Sequence, residues 1–242
     1  IPEHRKREVD TWLVEKILER ILALDERPLS EPRPPEKRVV GGCRDASVPF
    51  CAMARYKGIP ARMRVGFARY ITPHGKGFSV DHNIAEYWSR EDRAWRLVDT
   101  EQNDALIAEN GIDFDVHDVP RDQFVVGGLA WQLCRNGSEN PDQFGVGPDD
   151  FKGWWFIRDR VMQDLASLNM VETLCWDSWG LMDDESVDAQ WELIDRFAEI
   201  TQGGDASFEA IRAEHQADGV KASPAVTRYS PFTEPMGVPI PE

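Results

Sequence analysis

The sequence predicts an α+β fold in which a cysteine at the N-terminal end of a helix packs against an antiparallel sheet, with an α-helical extension on the C-terminal side. Three observations predict it. The stretch "GGCRDASVPFCAM", residues 41–53, puts Cys43 after two glycines and in front of an apolar helical run. Residues 81–101, "DHNIAEYWSREDRAWRLVDTE", read as two strands joined by a polar turn. From residue 123 the composition changes, and stretches such as "GWWFIRDRVMQDLASLNMVETL" carry helical apolar faces.

Each element follows from local chemistry. Residues 8–25 place Val9, Trp12, Leu13, Ile17, Leu18, Ile21 and Leu22 at helical spacing between charges, an amphipathic helix. Four prolines in residues 27–38 end it and make an extended crossing to Gly41. A second helix is expected over residues 43–56, with Gly58 as its C-terminal cap and Pro60 as its stop. Pro49 removes one of its internal hydrogen bonds and predicts a kink.

Residues 61–70, "ARMRVGFARY", have strand composition. The loop 71–80, with Pro73, Gly75 and Gly77, either borders a substrate cleft or simply connects. In the hairpin that follows, a two-residue turn at Glu91 and Asp92 sets Ile84 against Asp99 and His82 against Glu101. A slip of two sets His82 against Asp99. Both registers keep His82 and Asp99 on one sheet face.

The expected division is a core over residues 1–122, a helical extension over 123–205 that includes a helix at 188–201, and a surface-lying or mobile tail over 206–242. The apolar aromatics of the extension, Trp154, Trp155 and Phe156 among them, read as core packing.

Composition narrows the function. Of 242 residues, 41% are hydrophobic, with nine Trp and eleven Phe, enough for a sizeable core. Acidic residues outnumber basic ones 43 to 28 and the formal charge is −15, which disfavours nucleic acid as a partner. No run of about 18 apolar residues predicts a membrane span. Neither a secretory signal nor a starting Met is present, which leaves residues before Ile1 open. Four cysteines without a CxxC pair suggest reduced thiols in a cytoplasmic protein.

Cys43 differs from the other three cysteines in context. At a helix start, free backbone N–H groups and the helix dipole favour a thiolate and are able to serve an oxyanion. Cys51, Cys134 and Cys175 read as structural. His82 lies on a strand paired with one that carries Asp99, whereas His4, His74, His117 and His215 lie in segments expected to be solvated. Arg44, Arg62 and Arg64 read as solvated arginines outside the site. A cysteine, a histidine and an aspartate in this order supply a nucleophile, a base and an orienting group.

The motifs "GGC", "RYKGIPARMRVGF", "DHNIAEYW" and "WRLVDTE" together resemble the transglutaminase-like superfamily, within the papain-like group of cysteine enzymes, over about residues 38–102. "WQLCR" and "DLASLNM" extend the likeness to bacterial transglutaminase-like proteins. The resemblance implies a papain-like core with Cys43 as nucleophile, His82 as base and Asp99 as its partner. It implies acyl transfer from a peptide, amide or thioester through a Cys43 thioester, with release to a primary amine or to water. Such chemistry requires no cofactor and no metal. The rival reading is a binding module that keeps the fold without catalysis. The sequence departs from the family pattern in lacking the aromatic that usually follows a His-Ala pair, since His82 is followed by Asn83 and Ile84.

Overall fold

The computed structural model describes residues 1–75, 77–149, 151–184, 190–222 and 224–240. The helix expected over residues 8–25 is divided, a 3-10 helix at Glu3–Asp10 preceding α1 at Val14–Leu24. The break falls where the Thr11 and Trp12 carbonyls accept from the Arg44 guanidinium, at 3.5 and 2.7 Å, instead of from helical N–H groups.

Helix α2, Cys43–Tyr56, has the predicted bounds and runs through Pro49. It ends as Gly58 and Pro60 dictate. Gly58 adopts φ 72° and donates to Arg55 O, and the Ile59 N–H reaches back to Ala54 O at 3.0 Å.

Helix α2 lies on an antiparallel sheet built from β1 (Ala61–Ala68), β2 (Ser79–Ser89), β3 (Ala94–Val98) and β4 (Phe124–Val126), in the order β3-β2-β1-β4. A two-residue strand, β5 (Phe144–Gly145), adds parallel to β2. Val48, Cys51 and Ala54 of α2 bury against Met63, Val65, Ala85 and Val98. The hairpin pairs Ala85 with Val98 and Trp88 with Trp95, the first of the two expected registers. The T-shaped Trp88–Trp95 contact, with ring centroids 5.7 Å apart, lies next to the turn and supports that register.

Phe124–Val126, expected to open the helical extension, instead forms strand β4 on the far edge of β1. The run FVV is β-branched and aromatic, and it buries completely. Gly66 permits the approach, since a Cβ there would meet Val125 O at 2.3 Å.

Strand β4 covers only residues 66–68 of β1, and helix α5 (Trp154–Leu168) takes over the rest of that edge. The Asp164 carboxylate accepts the Val65 N–H at 2.9 Å, and the Ser167 hydroxyl donates to Met63 O at 2.8 Å. These side chains satisfy strand groups left without a β partner.

Arg64 is buried, contrary to its reading as solvated. It donates to both Asp164 oxygens at 3.0 and 2.8 Å and to Glu86 at 3.2 Å. Arg62 and Arg121 donate to Glu86 as well, at 2.6 Å each. A carboxylate with zero exposure therefore carries three guanidinium partners.

Helices α3 (Asp104–Asn110), α4 (Gly127–Arg135), α5 and α6 (Trp191–Ile200) follow. The segment read as a helix at 188–201 begins partly outside the described residues. Trp131, Trp154 and Trp191 pack ring against ring between α4, α5 and α6, as core.

Residues 206–240 are more regular than the expected tail. They hold α7 (Phe208–His215) and strands β7 (Ala225–Arg228) and β8 (Met236–Pro239), which with β6 (Asp177–Ser178) make a second, three-stranded sheet. Ile211, Val220, Ala222 and Val226 join the main apolar core. His215 is buried with them, and burial lowers its pKa, so the expectation that it is solvated is corrected.

Candidate active site

The start of α2 is fixed from two sides. The Gly42 N–H donates to the Asp45 carboxylate at 3.0 Å, and Gly42 O begins the helical ladder. Arg44, expected to be solvated, is buried and donates to the carbonyls of Trp12, Glu172 and Thr173 at 2.6–2.8 Å. Cys43 is thus the first helical residue, held between a capped turn and a clamped neighbour. Its own backbone N–H and that of Arg44 belong to the first turn, where the helix supplies no acceptor.

Strand β2 delivers His82 and the end of β3 delivers Asp99. His82 Nε2 lies 2.7 Å from Asp99 Oδ2, and both residues are buried. The same oxygen accepts the Tyr70 hydroxyl at 2.6 Å, while Oδ1 accepts the Glu101 N–H at 3.0 Å. With Nε2–H directed to a carboxylate, Nδ1 carries the lone pair. A ring nitrogen of His82, the Cys43 sulfur and a Glu101 carboxylate oxygen all lie within 4.8 Å of one another. His82 Nδ1 is 3.8 Å from Glu101 Oε2.

The structure therefore brings Cys43, His82 and Asp99 to one place and adds residues the sequence reading left without a role. Glu101 faced His82 in the expected register, so its signal was present. Tyr70, two residues past β1, has the strand parity of Gly66, which pairs with His82. Cys175 had no local signal. It is half-buried rather than core, accepts from Asn83 Nδ2 at 3.1 Å and is hydrogen-bonded to the Cys43 thiol. Asn83, the residue directly after His82, thus holds the second thiol.

Charge around the site opposes a resting thiolate. The hydrogen bond with Cys175, burial, and the nearby Glu101 and Asp81 carboxylates all push the Cys43 thiol well above its ordinary value. This reverses the depression expected from the helix start alone, because the carboxylates and desolvation outweigh the dipole. Burial disfavours the His82 imidazolium, yet the bond to Asp99 and the charges of Asp99, Glu101 and Asp81 raise its pKa. Burial works to raise Asp99, but His82, Tyr70 and the Glu101 N–H keep it below the usual carboxylate range. Glu101 is raised, mainly by burial.

A cleft of about 590 Å³ adjoins the site at Gly41, Gly42, Thr100 and Glu101. Its described lining comes from α1, the segment 29–46, α2 and residues 100–106 rather than from loop 71–80, where Lys76 lies outside the described residues. Ile21, Leu29, Pro49, Met53 and Leu106 make its wall largely apolar. No helix among the described residues is long and apolar enough to cross a membrane.

Comparison with curated proteins and with solved structures finds no match. Residues 6–100, which carry Cys43, His82 and Asp99, match the family model of the transglutaminase-like superfamily.

Proposed function

We infer that the protein is a cysteine-dependent acyltransferase or amidohydrolase, acting on an amide or thioester through a thioester on Cys43. The observation that carries this reading is the 2.7 Å bond from His82 Nε2 to Asp99, with the Cys43 sulfur within 4.8 Å of the His82–Glu101 pair. The family match over residues 6–100 supports it, since members are usually enzymes of this kind.

The chemistry starts from a neutral thiol. His82 Nδ1 takes the thiol proton as sulfur attacks the acyl carbon, and Asp99 stabilises the imidazolium that forms. The carbonyl oxygen of the tetrahedral intermediate meets the unused N–H groups at the start of α2, donors of the kind that contribute about 2.7–4 kcal/mol each. Collapse forms the thioester, and His82 passes its proton to the leaving amine or thiol. A primary amine or water then attacks, His82 accepting the incoming proton and returning it to sulfur. The apolar cleft suits the acyl donor's flanking groups.

Intact-mass analysis of the metal-free protein with peptide, amide and thioester libraries tests the reading. The expected result is an acyl adduct mapped to Cys43 and missing in Cys43→Ala. A folded protein that forms no adduct with any donor favours the binding module. With a reactive donor, amide product in added primary amine shows transfer, and free acid alone at every amine concentration leaves hydrolysis.

A further inference from the structure

Glu101 has no task in the acyl mechanism. Its carboxylate has no hydrogen bond among the described residues, lies 3.8 Å from His82 Nδ1 and opposes ionisation of the neighbouring Cys43 thiol. The surroundings are already negative, with Asp99 bonded to His82, and Asp81 directly before it in sequence and paired with Arg160 at 3.2 Å. What this arrangement fits is a cation at the point where sulfur, nitrogen and oxygen converge.

We propose that Cys43, His82 and Glu101 bind a thiophilic divalent cation of the Zn²⁺ class, and that the bound ion closes the site to acyl donors. The closure rests on the acyl-transfer reading, whereas the binding does not. One thiolate, one imidazole and one carboxylate form a ligand set typical of zinc and foreign to Mg²⁺ or Ca²⁺. Tetrahedral bonds of about 2.0–2.3 Å set donor atoms roughly 3.3–3.7 Å apart. The three donors lie within 4.8 Å of one another and His82 Nδ1 is 3.8 Å from Glu101 Oε2, so small side-chain rotations close the set.

The imidazole is already prepared as a ligand. Its Nε2–H is bound by Asp99, which fixes the tautomer that offers Nδ1, as carboxylates do behind metal-bound histidines. Asp99 is fixed in turn by Tyr70 and the Glu101 N–H. The cleft that reaches Gly42 and Glu101 gives the ion a path from solvent. Binding forms Zn–S, Zn–N and Zn–O bonds, releases the thiol proton to solvent and sheds waters from the ion. Oxidation states do not change. The fourth position is left for water or for Cys175, which adjoins the Cys43 sulfur.

The test is Zn²⁺ titration of the full chain after chelator treatment, read by calorimetry and by iodoacetamide labelling of Cys43. The expected result is one ion per chain, Cys43 labelling slowed at least about tenfold and restored by EDTA, and no effect of Mg²⁺ at the same concentration. Cys43→Ala should abolish binding, and Glu101→Gln, at a half-exposed position, should weaken it at least about tenfold. Binding unaltered by Glu101→Gln, or lost in Cys175→Ala but not in Glu101→Gln, overturns the ligand set. Acyl adducts on Cys43 of a protein that binds no Zn²⁺ overturn the cation site alone. Stoichiometric Zn²⁺ binding without acyl adducts in the metal-free protein overturns only the acyl-transfer reading.

Discussion

Tyr70 donates its hydroxyl to the Asp99 oxygen that also holds His82, so one carboxylate oxygen ties the end of β1 to the hairpin that carries the imidazole. The tyrosine ring stands perpendicular to the imidazole at 6.2 Å and packs against Phe114 from another side. Tyr70→Phe keeps the ring contacts and removes only the hydroxyl. It is expected to destabilise the fold by about 1.5–3 kcal/mol, the range for a hydrogen bond to a charged group, measured by urea unfolding. A change under about 0.5 kcal/mol would show that water or His82 replaces it without loss.

Cys43 labelling should report a thiol rather than a preformed thiolate. Because its pKa is raised, alkylation is expected to climb steadily from pH 7 into the alkaline range, with no plateau near neutrality. Cys51 and Cys134, buried and pushed up to about 12, should label more slowly throughout. Peptide mapping after brief labelling decides this, and a neutral plateau for Cys43 would return the helix-dipole account.

His82→Ala is expected to slow Cys43 acylation by about 10²–10⁴-fold through loss of proton transfer, and Asp99→Asn by less. The pH dependence of stability supplies a separate check. The folded pKa of His82 is raised, so its contribution is fully present below about pH 6.5 and disappears as pH rises through the folded value. The stability gap between wild type and His82→Gln, read by urea unfolding, should therefore narrow with increasing pH. A gap that widens toward pH 9 would contradict the assignment.

The Glu86 network should dominate acid stability. Burial works against this carboxylate, but Arg64, Arg62 and Arg121 hold it at about 2 against an ordinary 4.5, equivalent to about 3 kcal/mol. That contribution is present above about pH 4.5 and is lost as pH falls through about 2. Glu86→Gln leaves buried guanidinium charge uncompensated and is expected to cost about 3–5 kcal/mol at pH 7, measured by urea unfolding. A loss below about 1 kcal/mol would mean that Asp164 compensates both arginines.

The local signals carried the framework of this protein. Gly58 and Pro60 ended α2 where expected, because they act through backbone conformations that neighbours scarcely alter. Strand composition indicated β1 and the hairpin of β2 and β3, and of the two registers it left open, both of which keep His82 and Asp99 on one face, the fold adopts the one set by a two-residue turn. Cys43, His82 and Asp99 were legible from their order, from their places at a helix start and on paired strands, and from the family resemblance.

Tertiary structure decided what depends on residues far apart in the chain. Arg64 meets Asp164 a hundred positions away, so no local pattern separates it from a solvated strand arginine. Strand β4 is three residues long, too short for periodicity to distinguish from the start of α4. The break before α1 comes from Arg44, which takes carbonyls from residues 11, 12, 172 and 173 together. The charge state of Cys43 was decided in the same way: the helix start favours thiolate, but the carboxylates and Cys175 gathered around it by the fold outweigh that local field, because desolvation strengthens every charge left inside.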